Sequence, residues 1–200
     1  DAAIAWDWQG VVHLKPGEKF AARIESAFDE IEYPEPMWAT FAQPYVRQLR
    51  AASQVPAKRQ IGWMTRARPL TLESGRLLLP LYSDGFNVSL VAYTDDGGDT
   101  WTASEPIVGL GNVQPSLAQR EDGTVVALMR DNGVPPKRII HSESSDGGET
   151  WTVGRDIPLN NPGASVALLA LQDGRWLLAY NDTEKGRHDL SLAISEDEAE

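Results

Sequence analysis

Apolar and polar positions keep one rhythm up to residue 61 and another from residue 62 onward. In the first stretch Phe20, Ile24, Phe28 and Ile31 share one helical face after Pro16-Gly17. Trp38, Phe41, Tyr45 and Leu49 form a second helical stripe, which Pro44 is expected to kink or break. Both stripes read as packing faces rather than binding boxes. Ahead of them, Trp6-Asp7-Trp8-Gln9-Gly10-Val11-Val12-His13-Leu14 reads as a strand or two. Beyond residue 62 the apolar runs become short and are bounded by glycine turns. The clearest are Leu77-Leu78-Leu79-Pro80-Leu81, Val125-Val126-Ala127-Leu128-Met129 and Trp176-Leu177-Leu178-Ala179-Tyr180.

These runs repeat. Each follows a hairpin-like turn: Glu73-Ser74-Gly75-Arg76, Glu121-Asp122-Gly123-Thr124 and Gln172-Asp173-Gly174-Arg175, with glycines 48 and 51 residues apart. A second marker keeps the same register. Thr94-Asp95-Asp96-Gly97-Gly98-Asp99-Thr100-Trp101 matches Ser144-Ser145-Asp146-Gly147-Gly148-Glu149-Thr150-Trp151 at an offset of 50 residues. A third copy starts at Ser195-Glu196-Asp197-Glu198, with Ala199 at the place of the second glycine. In such a turn the Asp carboxylate accepts backbone N–H bonds, Gly takes positive φ, and Trp packs inward.

The pattern Ser/Thr-x-Asp-x-Gly-x-Thr-Trp resembles the Asp-box, or bacterial neuraminidase repeat, of the sialidase superfamily, and the likeness covers roughly residues 62–200. It implies an all-β fold: a six-bladed, sialidase-type β-propeller, here with an incomplete set of blades and an N-terminal helical insertion. The expected division is 1–61, a strand plus helical insertion packed on the propeller, and 62–200, blades with Asp-boxes at 94–101, 144–151 and from 195. Asp96, Gly98, Trp101, Asp146, Gly148 and Trp151 are then structural residues, not catalytic ones.

Strand parity sorts the remaining polar residues. Four strands per blade place the glycine turns and the Asp-boxes on one rim, and the B–C loops and blade-to-blade links on the other, around the propeller mouth. At that mouth fall Arg66 and Arg68, Asn112 and Gln114, Asn160 and Asn161, Ser83-Asp84, Arg130-Asp131 with Lys137 and Arg138, and Asn181-Asp182 with Glu184, Arg187 and His188. Arg offers a planar, bidentate fork to a carboxylate, and Asp is a candidate general acid for a glycosidic oxygen. Asp and Asn also end strands simply by making turns. Arg66, Arg68, Arg130, Asp131, Arg138, Asn181, Asp182 and Arg187 are therefore the candidate substrate-binding residues.

Sialidases carry Arg-Ile-Pro on the first strand, then an acid/base Asp, then an Asp-box. Here Arg66-Ala67-Arg68-Pro69, Asp84 and the box at 94–101 follow in that order, with Ala67 two residues before Pro69. The resemblance implies Asp84 as the catalytic acid/base and Arg66 or Arg68 as a carboxylate clamp. It implies that the nucleophilic Tyr, its Glu partner and further arginines come from later blades. Tyr82 and Tyr180 read as core. The strings Pro80-Leu81-Tyr82-Ser83-Asp84-Gly85-Phe86-Asn87 and Ala179-Tyr180-Asn181-Asp182-Thr183-Glu184 are closer to a sialidase-like branch whose sugars vary.

Composition narrows the partners. A formal net charge of −11 spread along the chain disfavours nucleic acid. No apolar run approaches the roughly 20 residues of a membrane span. The absence of cysteine removes disulfides, thiolate metal sites and a cysteine nucleophile. The histidines, His13, His141 and His188, fall in separate places, so neither a metal site nor a cofactor is expected. Asp1-Ala2-Ala3-Ile4 lacks the basic start of a signal peptide, although a trimmed N-terminus would read the same, so secretion or a periplasmic home stays compatible. Three functions fit: a glycoside hydrolase acting on a terminal sugar of a glycan, acidic sugars included; a non-catalytic propeller that binds glycans or proteins; and a polysaccharide lyase. Each needs further blades to close the ring.

Overall fold

The computed structural model describes residues 16–31 and 42–198. Three helices come first: α1 (Glu18–Glu30), α2 (Gln43–Ser53) and α3 (Pro56–Arg59). Phe20, Ile24 and Phe28 of α1 are buried, as are Val46 and Leu49 of α2. Pro44 does not kink a helix. It lies in the first turn of α2, where its missing N–H leaves no bond unmade. The expected strand at Trp6–Leu14, and Trp38 and Phe41 of the second stripe, lie outside the described residues. Among those residues no helix is long and apolar enough to cross a membrane.

The rest is β-structure in three antiparallel sheets. Blade one holds β1 (Met64–Thr65), β2 (Leu70–Thr71), β3 (Leu77–Ser83), β4 (Val88–Thr94) and β5 (Thr102–Ala103). Blade two holds β6 (Asn112–Gln119), β7 (Val125–Asp131), β8 (Arg138–Ser144) and β9 (Arg155–Asn160). Blade three holds β10 (Ala167–Ala170), β11 (Trp176–Asn181) and β12 (Leu190–Ser195). The 50-residue repeat is visible in the ladders. The first residue of each second strand pairs with the first residue of each Asp-box: Leu77 with Thr94, Val125 with Ser144, Trp176 with Ser195. The three sheets stack face to face as successive blades, and among the described residues they do not close a ring.

Two irregularities in the inner strands have proline behind them. Blade one's inner strand is split into β1 and β2 by 66–69, where Pro69 has no N–H for the ladder and Arg66 to Arg68 are freed from pairing. In β6 the register shifts between Val113 and Ser116, across Gln114-Pro115, and Gln114 takes φ 58°.

Side-chain alternation gives each sheet two apolar faces. Val125, Ala127 and Met129 of β7 meet Leu78, Val91 and Ile107 of blade one. Val126 and Leu128 meet Trp176, Leu178 and Tyr180 of blade three. The other face of blade one, with Leu81, Phe86, Val88 and Leu90, is covered by α1 and α2. The outer face of blade three carries the exposed Leu190, Leu192 and Ile194. At the helix–blade seam Phe86 stacks on Trp63 and takes Phe20 edge-on. Buried Arg59 donates to the carbonyls of Pro16 (2.9 Å) and Ser53 (3.0 Å).

The Asp-boxes work as the sequence predicts. Asp146 accepts from Ser144 Oγ (2.8 Å), Thr150 N (2.9 Å) and Thr150 Oγ1 (2.6 Å), while Trp151 Nε1 donates to Gly148 O (3.1 Å). Asp96 repeats this with Thr94, Thr100 and Trp101. Gly97, Gly98, Gly147 and Gly148 all have positive φ. In the imperfect third box Ser195 Oγ still donates to Asp197 (2.5 Å), and Glu198 adopts φ 55° at the place of the first glycine. Thr100's hydroxyl and amide, with Thr94's hydroxyl, hold Asp96 well below the usual carboxylate range. Burial pushes Asp146 up, but the Thr150 and Ser144 bonds outweigh it and leave it low.

Replacing Asp146 by Ala is expected to cost about 1–2 kcal/mol in urea unfolding. A carboxylate lowered by folding stabilises above its unfolded value, near pH 4, and loses that contribution as pH falls through the folded value. The Asp146→Ala deficit should therefore be full at pH 7 and shrink as the pH drops below about 4.

Candidate functional site at the propeller mouth

Strand reversal places the loops 84–87, 132–137 and 182–189 on one rim with the links 104–111 and 161–166, opposite the Asp-boxes. Asp84 follows the last residue of β3 and is exposed. Arg66 and Arg68 stand in the gap between β1 and β2, both exposed, and line a cavity of about 530 Å³ with Gln114, Ser116 and Ser165. Asp84 does not line that cavity; it lines a second cleft of about 830 Å³, between blade one and the helices, with Tyr45, Lys58, Ile61 and Met64. Tyr45 fixes that wall by donating its hydroxyl to the carbonyls of Phe86 and Asn87, 3.2 Å each.

Arg130 sits at the centre of the charged group. Its Nη2 donates to Asn132 Oδ1 (3.1 Å), and Asn132 in turn donates to Asn87 Oδ1 (2.6 Å) across the blade boundary. Its Nε is buried and makes no hydrogen bond among the described residues. Burial lowers the Arg130 pKa first, the nearby Arg187 lowers it further, Asp84 and Tyr82 push it back up, and Arg66 adds a smaller lowering. Arg66, Arg130 and Arg187, from three successive blades, thus share one electrostatic neighbourhood with Asp84 and Tyr82. Arg187 is anchored by a 2.6 Å bond from Nη2 to Gly163 O. Arg66 Nε donates to Ser165 Oγ (2.9 Å), whose hydroxyl makes a very short bond to Gln114 Oε1.

Other residues predicted at the mouth serve as internal ties. Arg138 pairs with Glu184 of blade three (2.8 Å), and Asp182 accepts from Asn160 (3.0 Å). Asp131 is buried and accepts from Gly133 N (2.6 Å) and Arg138 N (3.2 Å), which holds its loop. Asn181 ends β11 with a buried Oδ1 that has no hydrogen-bond partner among the described residues. His188 lies in the same loop as Arg187, and His141 lies on β8 beside Glu143 (3.3 Å). Tyr82 and Tyr180 are both buried.

Three polar neighbours of the candidate residues escape the sequence reading. Ser165 and Asn87 reach their partners through blade-to-blade contact, and Asn132 joins Arg130 of its own blade to Asn87 of blade one, which the period alone does not reveal. The one available hint is chemical, since small polar residues stand beside the charged ones at corresponding rim positions.

The BNR repeat-like domain family matches residues 39–200, and the chain belongs to that family, within the sialidase superfamily. It is 35% identical to an anhydrosialidase from Macrobdella decora over 81 residues, which are 40% of this chain and 10% of the relative. A Hadza microbial sialidase shares the fold at TM-score 0.58 and 21% identity, over 72% of this chain and 31% of that one. The NanB sialidase from Streptococcus pneumoniae does so at TM-score 0.55 and 24% identity, over 63% and 20%. The chain spans about a tenth of the anhydrosialidase and less than a third of either sialidase.

Burial raises the Asp131 pKa to about 6 against its bonds from Gly133 and Arg138, with Asp156 adding and Lys137 opposing. A carboxyl raised by folding holds its proton where the unfolded chain has lost it. Its contribution to stability therefore falls as pH rises from about 4 to about 6. Carbon chemical shifts of the Asp131 side chain should titrate with a midpoint near 6, and a midpoint near 4 would contradict the assignment.

Proposed function

We propose that this chain is part of a sialidase-like glycoside hydrolase that removes a terminal acidic sugar from a glycan. The observation that carries the reading is that Arg66 and Arg187 are both tied to the 161–166 link, through Ser165 and Gly163, on the rim opposite the Asp-boxes, with Arg130 and Asp84 in the same electrostatic neighbourhood. Three permanent positive charges on one rim form a field that favours an anion, and Arg66 keeps its Nη1 and Nη2 edge without a hydrogen bond among the described residues. Arg66 and Arg68 grip the sugar carboxylate, and Arg130 and Arg187 extend the positive field. Asp84, exposed at the edge of that field, protonates the glycosidic oxygen as the leaving group departs and later draws the proton from water. In this reading residues 1–61 are an insertion on the propeller, and residues 62–200 are its blades. The nucleophile and the remaining anion ligands come from further blades, as in sialidases with a Tyr nucleophile. The sequence likeness to an anhydrosialidase supports the same class of chemistry.

The test is turnover of a panel of fluorogenic terminal glycosides, sialic acid among them, by the protein with its full set of blades. Release should be confined to an acidic sugar, and Asp84→Asn should lower kcat by about 100- to 10,000-fold. Release unaffected by Asp84→Asn would remove that residue from the chemistry. A product absorbing in the ultraviolet as an unsaturated sugar would identify a lyase instead. Binding without any product would identify a glycan-binding propeller.

A further inference from the structure

We infer that Gln114 and Ser165 are positioning residues that aim the Arg66 guanidinium at the acid group of the ligand; this rests on the acidic-sugar reading above. Arg66 comes from the inner edge of blade one, Gln114 from that of blade two, and Ser165 from the link into blade three. The hydrogen-bond polarity is fixed by chemistry. Arg66 Nε can only donate and Gln114 Oε1 can only accept, so the Ser165 hydroxyl accepts from the first and donates to the second. The relay uses the one guanidinium N–H that points back along the side chain. It leaves the Nη1 and Nη2 edge, which takes a carboxylate bidentately, without any hydrogen bond among the described residues. With Nε held, Arg66 loses less rotamer freedom when the ligand arrives.

The backbone of Gln114 points the same way. It is 6% exposed, carries a full side chain, and is held at φ 58° where glycine would be at ease. The β6 bulge at Gln114-Pro115 imposes this and turns the residue towards the cavity it shares with Arg66, Arg68 and Ser165. A buried non-glycine residue in that region is kept where its surroundings determine it, and such positions cluster at ligand sites. If packing alone chose the residue, glycine would serve better. What glycine lacks is the amide oxygen that fixes the Ser165 hydroxyl.

The experiment uses the full-length protein, with Ser165→Ala, Ser165→Thr and Gln114→Gly compared with wild type. Calorimetric binding of free sialic acid and free glucuronic acid is measured beside that of the methyl ester of whichever binds. Ser165→Ala and Gln114→Gly should each weaken binding of the free acid by about tenfold, the scale of a misaligned charge-assisted bond, and leave the ester unchanged. Ser165→Thr, which keeps the hydroxyl, should restore the affinity. Gln114→Gly relieves the positive φ but empties a buried side-chain site, so thermal melting is used only to show that each variant is folded at the temperature of the titration. Equal affinity for the acid in wild type and Ser165→Ala would overturn the relay while leaving the hydrolase reading intact. An equal loss on acid and ester would overturn it too. Acid binding that depends on the relay but is never followed by turnover would sink the hydrolase and keep the relay. If neither acid binds the wild type, both fall.

Discussion

A β-sheet with two apolar faces must be covered on both, and that requirement organises everything else in this chain. Blade two satisfies it completely: Val125, Ala127 and Met129 are buried against blade one, while Val126 and Leu128 are buried against Trp176, Leu178 and Tyr180. At roughly 25 cal/mol per Å² of apolar surface, no loop contact in the molecule competes with these faces. Because the faces must stack, the blades take one orientation, and the same loop of each blade arrives at the same rim. Residues about 50 positions apart in sequence are thereby brought side by side. A site assembled from three blades is a by-product of packing before it is a product of chemistry.

The two rims divide the labour. On one, the Asp-box carboxylates are saturated by local hydroxyls and amides, and they are held low for that reason. Arg76 strengthens the same rim across the blade boundary, pairing with Asp95 (2.7 Å) and Glu149 (2.9 Å) and lying 4.5 Å from the Tyr93 ring. On the other rim the pairing is partial: Arg138 is held by Glu184 and Asp182 by Asn160, while Arg66 and Arg130 form no ion pair among the described residues. Arg130 keeps a buried N–H without a hydrogen-bond partner among the described residues, and Asp84 lines the cleft between blade one and the helices. The Asp-box rim satisfies itself and stabilises; the mouth rim keeps the Arg66 Nη1 and Nη2 edge without a hydrogen bond among the described residues.

Much of this is legible in the sequence. The Asp-boxes, the second strands and the split between the rims all follow from a local period and from strand reversal, both of which the chain carries in short windows. The helical faces with Phe20, Ile24, Phe28 and Leu49 followed from spacing alone. Less could be read where partners lie far apart in the chain. The Arg66–Ser165 bond spans 99 residues and the Ser165–Gln114 bond 51, and nothing in a one-dimensional pattern ties them. For the same reason the sequence offers Arg138 as a substrate-binding candidate, whereas its guanidinium is held by Glu184. Pro44 was misplaced because a proline within an apolar stripe reads as a break when the start of the helix is not known, whereas the first turn accepts it without cost.

The central claim is that arginines from three successive blades converge on one anion beside Asp84. It is tested most directly by a crystal structure of the complete protein with an acidic monosaccharide bound. The account predicts the carboxylate within hydrogen-bond distance of Arg66, with Arg130 and Arg187 around it and Asp84 next to the anomeric oxygen. A sugar bound at the Asp-box rim, or one at the mouth with its carboxylate turned away from Arg66, would contradict it.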